Sequence, residues 1–129
     1  MKQHISRKDF ISKTSSLVVA GMLSPFISKA GLLFNQGKKV KIGLIGCGSV
    51  SGMYLPHLSK SPFVELVSVC DIIPERAKSA AQKYKVPNSF THIDQLLAGP
   101  AFDLMVNLTD MQEHGRLNKQ ALLAKKHVW

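Results

Sequence analysis

Acidic residues are scarce in this chain: eight Asp and Glu stand against seventeen Lys and Arg, leaving a formal charge of +9 over 129 residues. Cysteine is scarcer still, at two, which cannot build the disulfide framework on which small cystine-rich domains depend. The five histidines, at positions 4, 57, 92, 114 and 127, are dispersed, so no His/Cys group has the close spacing of a zinc site. Aromatics are 7% of the chain, and no basic run is interleaved with them as a groove for single-stranded nucleic acid requires. No apolar run reaches the roughly 18 residues of a stable membrane-spanning helix. Internal repeats and low-complexity segments are also missing. What remains is a globular composition, 45% hydrophobic and 19% charged, with length enough for one domain.

The positive charge has two locations. Lys2, Arg7, Lys8, Lys13 and Lys29 stand against Asp9 within the first thirty residues. The remainder, as in Lys78, Lys83, Lys85, Lys119, Lys125 and Lys126, is spread along predicted helices. That spread reads as a solvated basic face, not a nucleic-acid surface.

Residues 1–30 have the layout of an export signal. A basic start leads into Leu17-Val18-Val19-Ala20-Gly21-Met22-Leu23, and Ser28-Lys29-Ala30 places small residues where a signal peptidase reads. Ser6-Arg7-Lys8-Asp9-Phe10-Ile11 resembles the twin-arginine export motif, with Lys8 in place of the second arginine. The expectation is a chain exported to the periplasm, the alternative being an N-terminal arm. Residues 31–39 form a linker.

From Val40 onward the pattern alternates. Val40–Ile45 is a short apolar run of the kind buried on both faces of a parallel sheet. Ser49–Ser61 has helical spacing, interrupted by Pro56. Val64–Cys70 predicts a second strand, and Pro74–Lys85 a helix opened by proline at a position that needs no amide donor. Phe90-Thr91 suggests a short third strand, followed by a helix over Ile93–Leu97 with Thr91 as N-cap and Asp94 completing a capping-box-like pair. Asp103–Leu108 is a fourth strand, Gln112–Lys125 a helix, and His127-Val128-Trp129 opens a fifth strand. Strands alternating with helices at this spacing specify right-handed βαβ units. The fold expected is α/β, a Rossmann doubly wound parallel sheet over 40–129, incomplete at the C-terminus.

In such a sheet ligands bind at the carboxyl ends of the strands, where the strand order reverses. Gly46-Cys47-Gly48-Ser49-Val50-Ser51 sits there. Gly46 permits a sharp turn, Gly48 lacks a Cβ that would block a pyrophosphate, and the following helix aims free amides, including those of Ser49 and Val50, at the phosphates. Ser51 holds the place of the usual third glycine. Asp71 ends the second strand near the offset at which a carboxylate accepts from a ribose 2′-hydroxyl and repels a 2′-phosphate. NAD is therefore expected over NADP, unless Asp71 merely leads into the next helix. Arg76 either lies over the adenine or is solvated. Cys47 and Cys70 read as small buried fillers.

Together with Gly46-Cys47-Gly48, the runs Met53-Tyr54-Leu55-Pro56, Val64-Glu65-Leu66-Val67, Pro74-Glu75-Arg76-Ala77, Asn107-Leu108-Thr109 with His114, and Ala121–Val128 are similar to the Gfo/Idh/MocA oxidoreductases. The resemblance covers about ninety residues. It implies an NAD(P)-binding domain joined to a larger domain that receives a sugar, cyclitol or polyol. It also places Leu108 and Thr109 against the ribose and nicotinamide side and matches His114 to a family histidine, although His114 also reads as a surface residue at a helix start. Where relatives commonly have Thr-Pro-Asn, this chain has Thr109-Asp110-Met111, which alters the local contacts. Relatives continue into Glu-Lys-Pro, whose lysine serves hydride transfer, and this sequence stops before it.

The expectation is therefore a dinucleotide-binding domain that does not itself turn over substrate and holds no catalytic or metal-binding residues. Two alternatives stay open: the cofactor domain of an NAD-dependent glycosidase, and a non-catalytic nucleotide-binding module. An unfinished fifth strand, with Trp129 as a loose aromatic end, further predicts marginal stability and some self-association.

Overall fold

The structure, a computed structural model, describes residues 37–129. The expected export signal, residues 1–30, and residues 31–36 of the expected linker lie outside the described residues. Five strands and four helices alternate among the described residues: β1 (Val40–Ile45), α1 (Ser51–Leu58), β2 (Val64–Cys70), α2 (Pro74–Tyr84), β3 (Asn88–Phe90), α3 (Ile93–Ala98), β4 (Leu104–Asn107), α4 (Met111–Leu123) and β5 (His127–Val128). The sheet order is β3-β2-β1-β4-β5 and every pairing is parallel. The chain builds outward from β1 to β3, then returns to lay β4 on the other side of β1. The order therefore reverses between β1 and β4, which opens a crevice at their carboxyl ends.

Both faces of the sheet are covered, which explains why the last four residues of β1 and of β2 are all buried. On one face Ile42, Leu44, Val69 and Val106 pack with Leu55 of α1 and Ala80 of α2. On the other, Ile45, Cys70 and Met105 pack with Ile93 and Leu96 of α3 and Leu117 and Ala121 of α4. At Gly43 an added Cβ would press on the Phe102 ring at 3.0 Å, so the glycine makes room for that ring. The β1–β2 register slips between Ile42 and Gly43.

Three local expectations are corrected. The first helix begins at Ser51, not Ser49, because the chain first turns tightly, with Ser51 and Gly52 amides donating back to Gly48 and Ser49 carbonyls. The third helix is capped at His92, not Thr91. Gln95, not Asp94, reaches back: its Oε1 accepts from the Thr91 and His92 amides at 3.1 and 3.3 Å. With the cap one residue later, Gln95 falls on the third helical position, from which a side chain reaches back to the cap amide. Nor is Trp129 loose, since its amide donates to Met105, its carbonyl accepts from Asn107, and its ring meets Tyr54 edge-on at 5.3 Å.

Candidate functional site

Gly46 follows β1 with φ +96°, and its amide donates to the Cys70 carbonyl at 2.8 Å. A Cβ there would stand 2.6–2.7 Å from the Leu108 carbonyl and the Thr109 nitrogen. The turn after β1 thus passes directly against the loop after β4, which only glycine allows. One residue on, the Cys47 amide donates to Asp71 Oδ2 at 2.8 Å, while the Ile73 amide donates to Oδ1 at 2.8 Å. Asp71 is 6% exposed. Two backbone donors fix its carboxylate against the glycine turn, and each oxygen keeps a free lone pair.

Gly48 faces open space. A Cβ there would approach only the Arg76 guanidinium, at 3.8 Å. The Gly48, Ser49 and Val50 amides, at the start of α1, have no acceptor among the described residues. Ser51 fixes this arrangement, because its buried hydroxyl donates to the Gly48 carbonyl at 2.6 Å.

A second loop completes the wall. Buried Asn107, at the end of β4, accepts from the Thr109 hydroxyl at 2.6 Å and amide at 3.2 Å, and donates to Asn118 of α4 at 2.8 Å. The Leu108 amide donates to the Ile45 carbonyl at 2.8 Å. Asp110 is exposed at the start of α4 and makes no side-chain cap.

Gly46, Gly48, Ser49, Val50, Asp71, Arg76, Leu108 and Thr109 all line one cleft of about 650 Å³. His114 does not. Its Nε2 lies 2.9 Å from the Thr109 carbonyl, in a neighbouring cavity of about 300 Å³ shared with Tyr54 and Trp129. The two spaces meet along Val50, Leu108 and Thr109. Asn107 and Ser51 position these loops, roles that go beyond Ser51's place as third-glycine residue and Asn107's place in the family-like run. Their signals were an Asn-x-Thr run closing a strand and a hydroxyl three residues after the second glycine.

Burial, then the Asp71 charge, pushes the Cys47 thiol up to about 12. Burial, then Cys47 and Asp71, does the same for Cys70. No group of three or more His, Cys, Asp or Glu able to hold a metal occurs among the described residues.

Free loop amides, an open side at Gly48 and a fixed carboxylate suit a diphosphate flanked by a ribose diol. When bound, such a dinucleotide supplies hydride exchange at its nicotinamide. Residues 40–129 match the oxidoreductase family with an NAD-binding Rossmann fold, Gfo/Idh/MocA. The chain belongs to that family. Among curated relatives, a glycosyl hydrolase family 109 protein of Streptomyces niveus is 31% identical over 108 residues, covering 77% of this chain and 22% of the relative. An inositol 2-dehydrogenase of Salmonella typhimurium is 27% identical over 92 residues, covering 70% and 27%. The WlbA dehydrogenase of Bordetella pertussis, solved with NADH and UDP-GlcNAcA, superposes with a TM-score of 0.66 at 27% identity, covering 70% of this chain and 28% of that one. The chain spans about a quarter of the length of the curated relatives it matches.

Proposed function

We propose that this chain is the cofactor-binding part of an oxidoreductase acting on a sugar or polyol, and that it takes NAD in preference to NADP. The loop amides of Gly48, Ser49 and Val50 hold the pyrophosphate, Asp71 accepts from the adenosine ribose, and Leu108 and Thr109 border the nicotinamide side. One observation carries the reading: the Asp71 carboxylate is pinned beside the glycine turn by the Cys47 and Ile73 amides. A fixed negative charge there accepts from hydroxyls and repels a 2′-phosphate. Isothermal titration of NAD and NADP into the chain tests it. NAD should bind at least about tenfold more tightly, and Asp71→Asn should erase that preference. Equal or tighter binding of NADP by the wild type would overturn the assignment.

A second reading is a glycosidase that oxidises its substrate transiently. The family 109 relative supports it, being more identical and covering more of this chain than the inositol dehydrogenase does. Assaying the complete gene product with a polyol and with an aryl glycoside separates the two. Residues 1–30 are proposed as a twin-arginine-type export signal carrying Arg7-Lys8. Fractionation that leaves Met1-bearing protein in the cytoplasm would remove this proposal. Self-association through the β5 edge is proposed as well, to be tested by light scattering over a concentration series.

A further inference from the structure

In a parallel sheet with returning helices, strand starts and helix ends converge on one end of the domain. Here the Val40 amide donates to Phe63 at 3.0 Å, the Asp103 amide to Lys41 at 2.8 Å, and the His127 amide to Asp103 at 3.0 Å. Onto that end come Lys38 and Lys39 ahead of β1, Lys60 after α1, Lys85 after α2, and Lys125 and Lys126 after α4. The acids there are Glu65 and Asp103, and the Asp103 carboxylate already accepts from the Lys41 amide at 3.0 Å. The other described acids, Asp71, Glu75, Asp94, Asp110 and Glu113, all follow the ends of strands at the opposite pole. A charge that looks dispersed along the sequence is gathered by the topology.

Helix dipoles favour a cation at each C-terminus. They do not account for Lys38 and Lys39, which belong to no helix. Nor do they account for the backbone: Lys85 and Lys125 both sit in the left-handed region, at φ 55° and 59°. That is the position after a helix where glycine fits best. Phe63, 77% exposed, and Leu123, 74% exposed, project at the same end.

We propose that this end of the sheet docks on an anionic bilayer surface. Basic side chains interspersed with projecting apolar ones suit a headgroup layer, where charge attracts and the apolar tips insert. The sequence upstream agrees: Leu32-Leu33-Phe34 stand two residues ahead of Gly37-Lys38-Lys39, and those lysines lead into this face. The face carries no interleaved aromatic row on which bases could stack. The surface is separate from the proposed cofactor cleft.

The test is co-sedimentation of the full chain with vesicles of phosphatidylcholine alone or mixed with phosphatidylglycerol, at low and high salt. The anionic-to-neutral binding ratio is the readout; it cancels apolar contributions from upstream, and the basic residues within 1–30 contribute equally to wild type and variants. It should be large at low salt and collapse at high salt. Replacing Lys85 and Lys125 with glycine should lower the ratio about fivefold per lysine, while the melting temperature does not fall. Lys38→Gln with Lys39→Gln should act similarly. Lys78→Gln with Lys119→Gln removes the same charge from helix middles and should change the ratio less than about twofold. A ratio near one, equal losses from the two kinds of variant, or stronger competition by duplex DNA than by anionic vesicles would each overturn the proposal.

Discussion

The two ends of the sheet treat the same backbone conformation in opposite ways. At the carboxyl end the positive φ falls on Gly46, where a side chain would overlap the Leu108–Thr109 peptide. At the amino end it falls twice on lysine, at Lys85 and Lys125. One end removes side chains so that two loops and a ligand can approach closely. The other keeps long charged side chains despite a backbone that would accept glycine more readily. A binding cleft needs exposed amides and empty volume, whereas a docking face needs projecting charge. The parallel topology supplies both by sorting loops after strands to one pole and loops after helices to the other.

The contrast breaks most visibly at Gly46. Gly46→Ala combines backbone overlap with a left-handed φ, and should cost about 3 kcal/mol or more of stability and abolish NAD binding. Lys125→Gly, at the other pole, should be neutral or stabilising by up to about 1 kcal/mol. Urea unfolding followed by circular dichroism measures both. If the two substitutions moved the midpoint in the same direction, the difference between the poles would be lost.

Gly48→Ala sharpens the comparison within the cleft. Space around this position is open, so stability should stay within about 0.5 kcal/mol of wild type. NAD affinity should nonetheless fall at least about tenfold, because the methyl occupies the path of the pyrophosphate. Titration calorimetry and thermal unfolding on the same variant decide it. Unchanged affinity would mean that Gly48 faces no ligand.

How much of this was legible before the fold was known depended on the range of each interaction. β1 and β2 fall on the expected residues, since Val40–Ile45 and Val64–Cys70 are mostly apolar runs followed by glycine and aspartate. Gly46, Gly48 and Asp71 were legible too, because their spacing along one βαβ unit carries the signal. The α3 cap was misplaced, since Thr91 and Asp94 suit a cap by residue type while the reach of Gln95 is a matter of geometry. The role of Asn107 depends on Asn118, eleven residues away on α4. His114 matched the family run, yet its ring turns to the Thr109 carbonyl and a separate cavity. The lysine end was invisible because its members come from four separate connections that meet only in three dimensions.

A smaller effect is expected at Ser51, which occupies the third-glycine position. Ser51→Ala removes one hydroxyl bond to the Gly48 carbonyl, worth about 1 kcal/mol. The loop amides should then be less well ordered, weakening NAD by about two- to fivefold, and the melting temperature should fall by about 4–8 °C. Ser51→Gly should behave like Ser51→Ala if the hydroxyl matters, and like wild type if only small size matters. Affinity of all three forms, measured side by side, separates hydrogen bonding from close packing.

The smallest effect concerns pH, and its near-absence is the prediction. Cys47 sits within the glycine loop, where a thiolate would repel a pyrophosphate. Burial and the Asp71 charge push its thiol from 9.0 up to about 12, and Cys70 is raised as far. Both therefore stay neutral at pH 9, and NAD affinity should vary less than about twofold between pH 7 and 9. The sign for stability follows from the same shift. A thiol whose folded pKa lies above its unfolded value adds stability that is complete below about pH 9 and is lost as pH rises toward 12. Alkylation by iodoacetamide at pH 8 should accordingly be slow in the folded chain and fast in urea. Affinity falling with an apparent pKa near 8, abolished by Cys47→Ser, would show instead that the loop thiol ionises beside the phosphates. The cleft would then carry a negative charge where the geometry provides only donors.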